Sequence, residues 1–186
     1  MLDTVKTRVN GLDLEALGNV VEAINADAKQ ALVGFDVTTR WTGQTRSETT
    51  VDGFTMAGER VTRTHKIVAD EPCELLGADS APNPQELLMA AFNACIMVGY
   101  VAGSSLQGIK LDSVEIKTHG QLDLRGFLGL SDEVIPGYES IAYEVKIKGD
   151  GTAEQFAEIH DTVLKTSPNY FNISRPIRVD ATLTVG

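Results

Sequence analysis

The sequence predicts one domain that mixes antiparallel strands with helices around a single very apolar helix, and three observations carry that expectation. The chain has 186 residues, 42% apolar, 23% charged and 6% aromatic. This is an ordinary globular balance, and at this length a fold buries roughly 70% of the surface its unfolded chain exposes. The run from Leu87 to Ala102 is broken only by Asn93, Gly99 and Tyr100. It is too short to span a bilayer, and a helix apolar on nearly every side must be buried on nearly every side. In a chain of this size that points to burial between two subunits. Finally, several stretches alternate apolar and polar residues with the period of a half-buried strand.

The elements follow in order. Leu14, Leu17, Val21, Ile24 and Ala28 recur at helical spacing, so an amphipathic helix runs from Asp13, its cap, to about Gln30. Phe35, Val37, Thr39 and Trp41 alternate with Asp36, Thr38 and Arg40 in a strand ended by Gly43. Thr49 to Met56 is interrupted by Asp52-Gly53, which reads as a tight hairpin between two short strands. Val61 to Val68 alternates again, and Gly77 to Pro84 is a loop. Asn83, Pro84 and Glu86 supply a cap, a first helical residue and the far half of a capping box for the apolar helix. Gly103 to Gly108 ends that helix or links it onward. Val114–Thr118 and Ser140–Lys148 read as strands, flanking a loop in which Phe127, Leu128 and Leu130 sit among glycines as a lid or interface element. Thr152 and Gln155 cap a second helix with Phe156, Ile159, Val163 and Leu164 on one stripe, stopped by Pro168. Ile177, Val179, Ala181, Leu183 and Val185 form one face of a last strand.

Composition excludes several classes of function. Sixteen Lys and Arg against 26 Asp and Glu give a net charge of −10, a surface that repels phosphate backbones and anionic lipid, so neither nucleic acid nor membrane is an expected partner. Two cysteines make no disulfide framework, and the start of the chain, Met1 to Lys6, lacks a signal-peptide pattern. The expectation is a reduced, cytoplasmic protein. His65, His119 and His160 show no pair at metal-ligand spacing, and no phosphate-binding glycine motif is present, so neither metal nor cofactor is expected. What remains is the thiols, and Cys95 read alone is most simply a small hydrophobe inside a helix.

The run from Asp79 to Cys95, with its Pro82-Asn83-Pro84-Gln85-Glu86-Leu87-Leu88 core, closely resembles the signature of the osmotically induced and organic hydroperoxide resistance proteins, the OsmC/Ohr family. The resemblance extends through His65–Pro72, Leu124–Leu130, Pro136-Gly137-Tyr138 and Ser167-Pro168. It covers residues 35–186 and leaves 1–34 as a helical amino-terminal extension of what is overall a single globular domain. It implies an α+β fold, with antiparallel sheets wrapped around central buried helices in an intertwined homodimer. It also implies that Cys95 is a peroxidatic thiolate that reduces organic hydroperoxides. Cys95 lies about three turns into its helix, too far for the terminal dipole to stabilise a thiolate, so a cation is needed. The family's arginine matches Arg46, with Arg40 as the fallback.

Two positions depart from the family pattern. Peroxidase members hold the arginine with a glutamate at the position of Gln85, whereas this chain carries its acid at Glu86, which points away from Cys95 and suits helix capping. The resolving cysteine is replaced by Ser167, so the usual intramolecular disulfide cannot form. Cys73 is the remaining thiol, either an incidental loop residue or a substitute resolver. The leading expectation is a cysteine-based peroxidase of small or fatty-acyl hydroperoxides, dependent on an external thiol reductant. Its rival is a non-catalytic homodimer of the same fold that binds a small hydrophobic ligand.

Overall fold

The computed structural model describes residues 8–186; the reading of Met1 to Lys6 lies outside them. Two compact units divide the chain, Met1–Ala90 and Ala91–Gly186.

In the first unit, β1 (Arg8–Val9) and β2 (Leu12–Asp13) form a minimal hairpin. Its turn is Asn10-Gly11, both at positive φ, the dipeptide that suits a two-residue hairpin loop. Helix α1 (Leu14–Ala26) begins where expected, with the Ala16 amide donating to the Asp13 carboxylate at 3.0 Å. It ends earlier than predicted, because Asp27 both closes it and caps a short 3₁₀ turn, Ala28–Ala31.

The predicted strand from Phe35 to Trp41 is two strands. β3 (Val33–Phe35) and β4 (Thr38–Gly43) both pair antiparallel with β5 (Arg46–Met56), at opposite ends of the same edge. β6 (Glu59–Ala69) pairs along the other edge of β5. The hairpin expected at Asp52-Gly53 is absent. β5 runs straight through, and the positive φ of Gly53 is used in a bulge that shifts the β5–β6 register between Val51 and Gly53. The reversal comes instead at Ala57-Gly58, both at positive φ. The predicted single apolar face is split between the two strands, Phe35 standing opposite Phe54 and Trp41 opposite Ser47, and each is about three-quarters exposed in the single chain (73% and 76%).

Residues 70–83 form the predicted loop, with a 3₁₀ turn at Cys73–Leu75. A buried carboxylate organises it. Asp70 accepts from the Thr45 hydroxyl at 2.8 Å, the Glu71 and Ala78 amides, and both the amide and hydroxyl of Ser80. These donors hold its carboxyl well below the usual range, the Ser80 and Thr45 hydroxyls contributing most.

Helix α2 (Pro84–Leu106) starts with the predicted capping box. The Glu86 amide donates to Asn83 Oδ1 and the Asn83 amide to Glu86 Oε2, both at 2.8 Å. The helix continues through Gly103, Ser104 and Ser105, and the positive φ of Gly108 follows its end. At 23 residues it is longer than the Leu87–Ala102 run, and it contains an 18-residue stretch of mean hydropathy 1.7, long and apolar enough to cross a membrane by length and composition, as the core helix of a globular protein also can be. Polar residues at both ends extend the helix beyond the apolar run. Burial on nearly every side is not met within the chain either. Phe92, Ile96 and Tyr100 are buried, while Val98 and Leu106 stand about two-thirds exposed.

The second unit is built on that buried face. β7 (Leu111–Gly120) and β8 (Ile141–Gly149) form an antiparallel pair. Val114, Ile116, Tyr143, Val145 and Ile147 pack against a core of Phe92, Ile96, Tyr100, Ile109, Ile159 and Val163. Between the strands, α3 (Leu124–Phe127) is a single turn. Helix α4 (Ala153–Thr166) has both bonds of its predicted capping box and buries Ile159 and Val163 against α2. The approach is close because α2 offers glycines. A Cβ on Gly99 would lie 2.9 Å from Val163 Cγ2, and one on Gly103 would lie 3.0 Å from Ile159 Cγ2. Ser167 ends α4 and caps α5 (Pro168–Ser174), so Pro168 stops one helix by starting another. The last predicted strand does not form. Residues 175–186 join no sheet among the described residues and are exposed throughout.

Candidate functional site

Cys95 lies near the middle of α2, half-buried, one turn after Phe92. Its sulfur is 3.5 Å from Ser167 Oγ, at the junction of α4 and α5. Neighbouring bonds tie the three helices together at this level. Asn169 Nδ2 donates to the Ala91 carbonyl at 2.9 Å, and the Thr118 hydroxyl meets Asn93 Oδ1 from β7. Ser167 is only 7% exposed, and its Oγ also accepts the Tyr170 amide at 3.3 Å.

Beside this junction is a cavity of about 400 Å³ lined by Phe92, Tyr138, Tyr143, Tyr170 and Ile173 among others. Cys95 is not in its wall, but Phe92, one turn earlier on the same helix, is. Behind the cavity the Tyr100 hydroxyl is 2.5 Å from His160 Nδ1, and the rings stack. Burial, followed by the neighbouring Tyr143, pushes the Tyr100 phenol well above its ordinary value. The Tyr143 phenol is raised too, first by burial and then by Tyr170. The cavity therefore has aromatic walls, with the raised phenol of Tyr143 among them. Phe127, Leu128 and Leu130, expected as a cover, stand exposed and do not line it. A larger cleft of about 890 Å³ opens elsewhere in the unit, lined by His119, Asp123, Arg125, Glu133 and Glu139 among others. The Arg125 guanidinium is already engaged there by Asp123.

Arg46 belongs to the first unit. Its Nη1 donates to Glu48 Oε1 at 3.0 Å and to the Thr42 hydroxyl at 2.9 Å. Lys66 Nζ lies 3.5 Å from the other Glu48 oxygen. The Arg46 hydrogen bond, then Lys66, hold the Glu48 carboxyl below its ordinary range. The resemblance places the arginine's acid at the position of Gln85, which carries none, and Arg46 is paired instead with Glu48. The signal was available, since residues two apart on a strand share a face. Arg40 pairs directly across from Glu48 and so lies on that same face; the tether to Glu48 and Thr42, and not the choice of face, distinguishes Arg46. Cys73 is exposed in the 3₁₀ turn of the first unit. Among the described residues no three of His, Cys, Asp or Glu are grouped to hold a metal ion.

The described residues thus make an α+β protein of antiparallel sheets and helices, with one half-buried helical thiol. The chain belongs to the OsmC-like protein family, whose model matches residues 77–182. Solved structures with TM-scores above 0.5 carry the same fold. An OsmC-like protein from Mycoplasma pneumoniae aligns with a TM-score of 0.57 at 14% identity, over 75% of this chain and 86% of that one. One from Vibrio cholerae aligns at 0.56 and 14%, over 73% and 90%. An OsmC-like hydroperoxide resistance protein from a Jannaschia species gives 0.45 and 14%, over 83% and 93%. No curated protein matches the chain.

Proposed function

We propose that the protein is a thiol-dependent peroxidase that reduces small or fatty-acyl organic hydroperoxides through Cys95 and is regenerated by an external thiol. The observation that carries this reading is the Cys95 sulfur itself, half-exposed and hydrogen-bonded to Ser167 beside an aromatic cavity. The thiolate attacks the terminal oxygen of the hydroperoxide. An S–O bond forms, the O–O bond breaks, and the alkoxide leaves as the alcohol after taking a proton from solvent. Sulfur is oxidised to sulfenic acid as the hydroperoxide is reduced. Among the described residues of the second unit there is no other cysteine, so an external thiol attacks the sulfenic sulfur, water leaves, and a second thiol releases Cys95. Arg46, held in place by Glu48, is the cation that the family resemblance implies for the thiolate. The acting form is a homodimer in the cytoplasm, in which a second copy covers the exposed apolar residues of α2.

The test is reduction of cumene hydroperoxide with dithiothreitol or dihydrolipoamide, by the wild type, Cys95→Ser and Cys73→Ser. Turnover abolished in Cys95→Ser and retained in Cys73→Ser is the expected result. A second reading, a non-catalytic homodimer that binds a small hydrophobic ligand, is favoured by one observation: the Arg46 charge is already countered by Glu48. Absence of turnover, with saturable binding of an apolar fluorophore, would select it.

A further inference from the structure

We infer that Ser167 is a positioning residue of the thiol site, whose hydroxyl donates to the Cys95 sulfur and favours its ionised form. The inference rests on the peroxidase reading for its purpose, but its test does not. The other bonds of Ser167 leave its hydroxyl proton available to the sulfur. Its Oγ accepts the Tyr170 amide at 3.3 Å, and its own amide is spent on the Val163 carbonyl at 2.9 Å. The hydroxyl proton has no backbone acceptor among these contacts, and the Cys95 sulfur, 3.5 Å away, is within its reach. A thiol could donate to this oxygen as readily as accept from it; a thiolate can only accept. Ionisation therefore converts an interchangeable contact into a charge-assisted one, and a hydrogen bond made to the charged form favours that form.

Within the second unit the surroundings supply little else. From α4, His160 is engaged with Tyr100 and Lys165 is exposed. From α5, Asn169 is held by Ala91 and the Tyr170 phenol is in the cavity wall. Ser167 is rigid as well as close, because it terminates one helix and caps the next. A group fixed twice by backbone keeps its hydroxyl at the sulfur without the entropy cost of ordering a free side chain. After attack on a hydroperoxide the same hydroxyl faces the sulfenic sulfur and cannot form a disulfide with it. The oxidised site then waits for an external thiol.

The experiment measures the rate of Cys95 alkylation by iodoacetamide against pH, in full-length protein with Cys73 replaced by Ser. Variants are Ser167→Ala, Ser167→Gly and Ser167→Thr. Glycine removes the hydroxyl while largely sparing the helix cap, so it keeps the test open if alanine misfolds; threonine restores the hydroxyl. The expected result is a profile displaced to higher pH in Ala and Gly, with about tenfold slower alkylation at neutral pH, which equals about one pH unit. Thr should stay close to wild type. Superimposable profiles for Ser, Gly and Ala would overturn the inference whatever the peroxide assay shows. A displaced profile in a protein that turns over no hydroperoxide would support the role of Ser167 and remove the peroxidase reading alone.

Discussion

β8 and residues 177–185 carry nearly the same sequence pattern and meet opposite fates. Ile141, Tyr143, Val145 and Ile147 alternate with polar residues, and so do Ile177, Val179, Ala181, Leu183 and Val185. The first set forms a ladder with β7, and Tyr143, Val145 and Ile147 lean on the core. In the second, Val179, Leu183 and Val185 are each at least 80% exposed. Alternation specifies which side chains share a face, but a strand also needs a neighbour for its amides and carbonyls. Only β8 has one in this chain. The exposed segment is thus a strand sequence without a ladder, the kind of edge that another chain can pair with.

Five measurements would break or sharpen that contrast. The largest effect should come from the helix contact beneath β8. Gly103→Leu forces a side chain into Ile159 and should cost about 3 kcal/mol in urea unfolding. Ile147→Ala removes part of the β8 face and should cost about 2 kcal/mol, toward the low end for such truncations because the residue is only partly buried. Leu183→Ala should stay within about 0.5 kcal/mol at dilutions that keep the chain monomeric. At concentrations where the proposed dimer forms, hydrogen exchange should show residues 177–185 gaining protection while β8 is unchanged. The last effect is read in acid, and it is an electrostatic one in the other unit. The folded Asp70 carboxyl lies below its ordinary value of 3.8, so it contributes stability in full above that value and loses it as pH falls below. An acid titration of Asp70→Asn should therefore be flatter than that of the wild type between about pH 4 and 2, and equal slopes would remove Asp70 as a source of acid sensitivity.

Local signals were the most legible in the sequence. Both capping boxes, the loop after β6, and β6 itself could be read directly, because cap residues and alternation act within a few positions. Dipeptides with positive φ were harder. Asn10-Gly11 makes a turn that the reading passed over, whereas Asp52-Gly53 makes a bulge where a turn was read. The dipeptide supplies the backbone freedom, and the paired strands decide its use. At the site, Cys95 stood out through the family resemblance, and Glu48 was within reach because it sits two residues from Arg46. The Ser167 hydrogen bond was not legible from local pattern. It joins residues 72 positions apart, and only the packing of α2 against the junction of α4 and α5 creates it.

The Asp70 carboxylate has one more consequence, for how the chain could be lengthened or labelled. It fastens residue 70 to residues 78 and 80, so the intervening loop begins and ends at one point. Leu76 at its tip is left-handed and 80% exposed, while Gly77 is pressed against the Glu71 carbonyl so tightly that a Cβ would lie 1.8 Å from its oxygen. A flexible insertion between Leu75 and Leu76 that doubled the loop would cost only about 0.6 kcal/mol of closure entropy; one placed a residue later would collide with the clasp. The exposed Cys73 rides on this tethered loop, so a spin label attached there would report whether the clasp is shut, independently of anything that happens at Cys95.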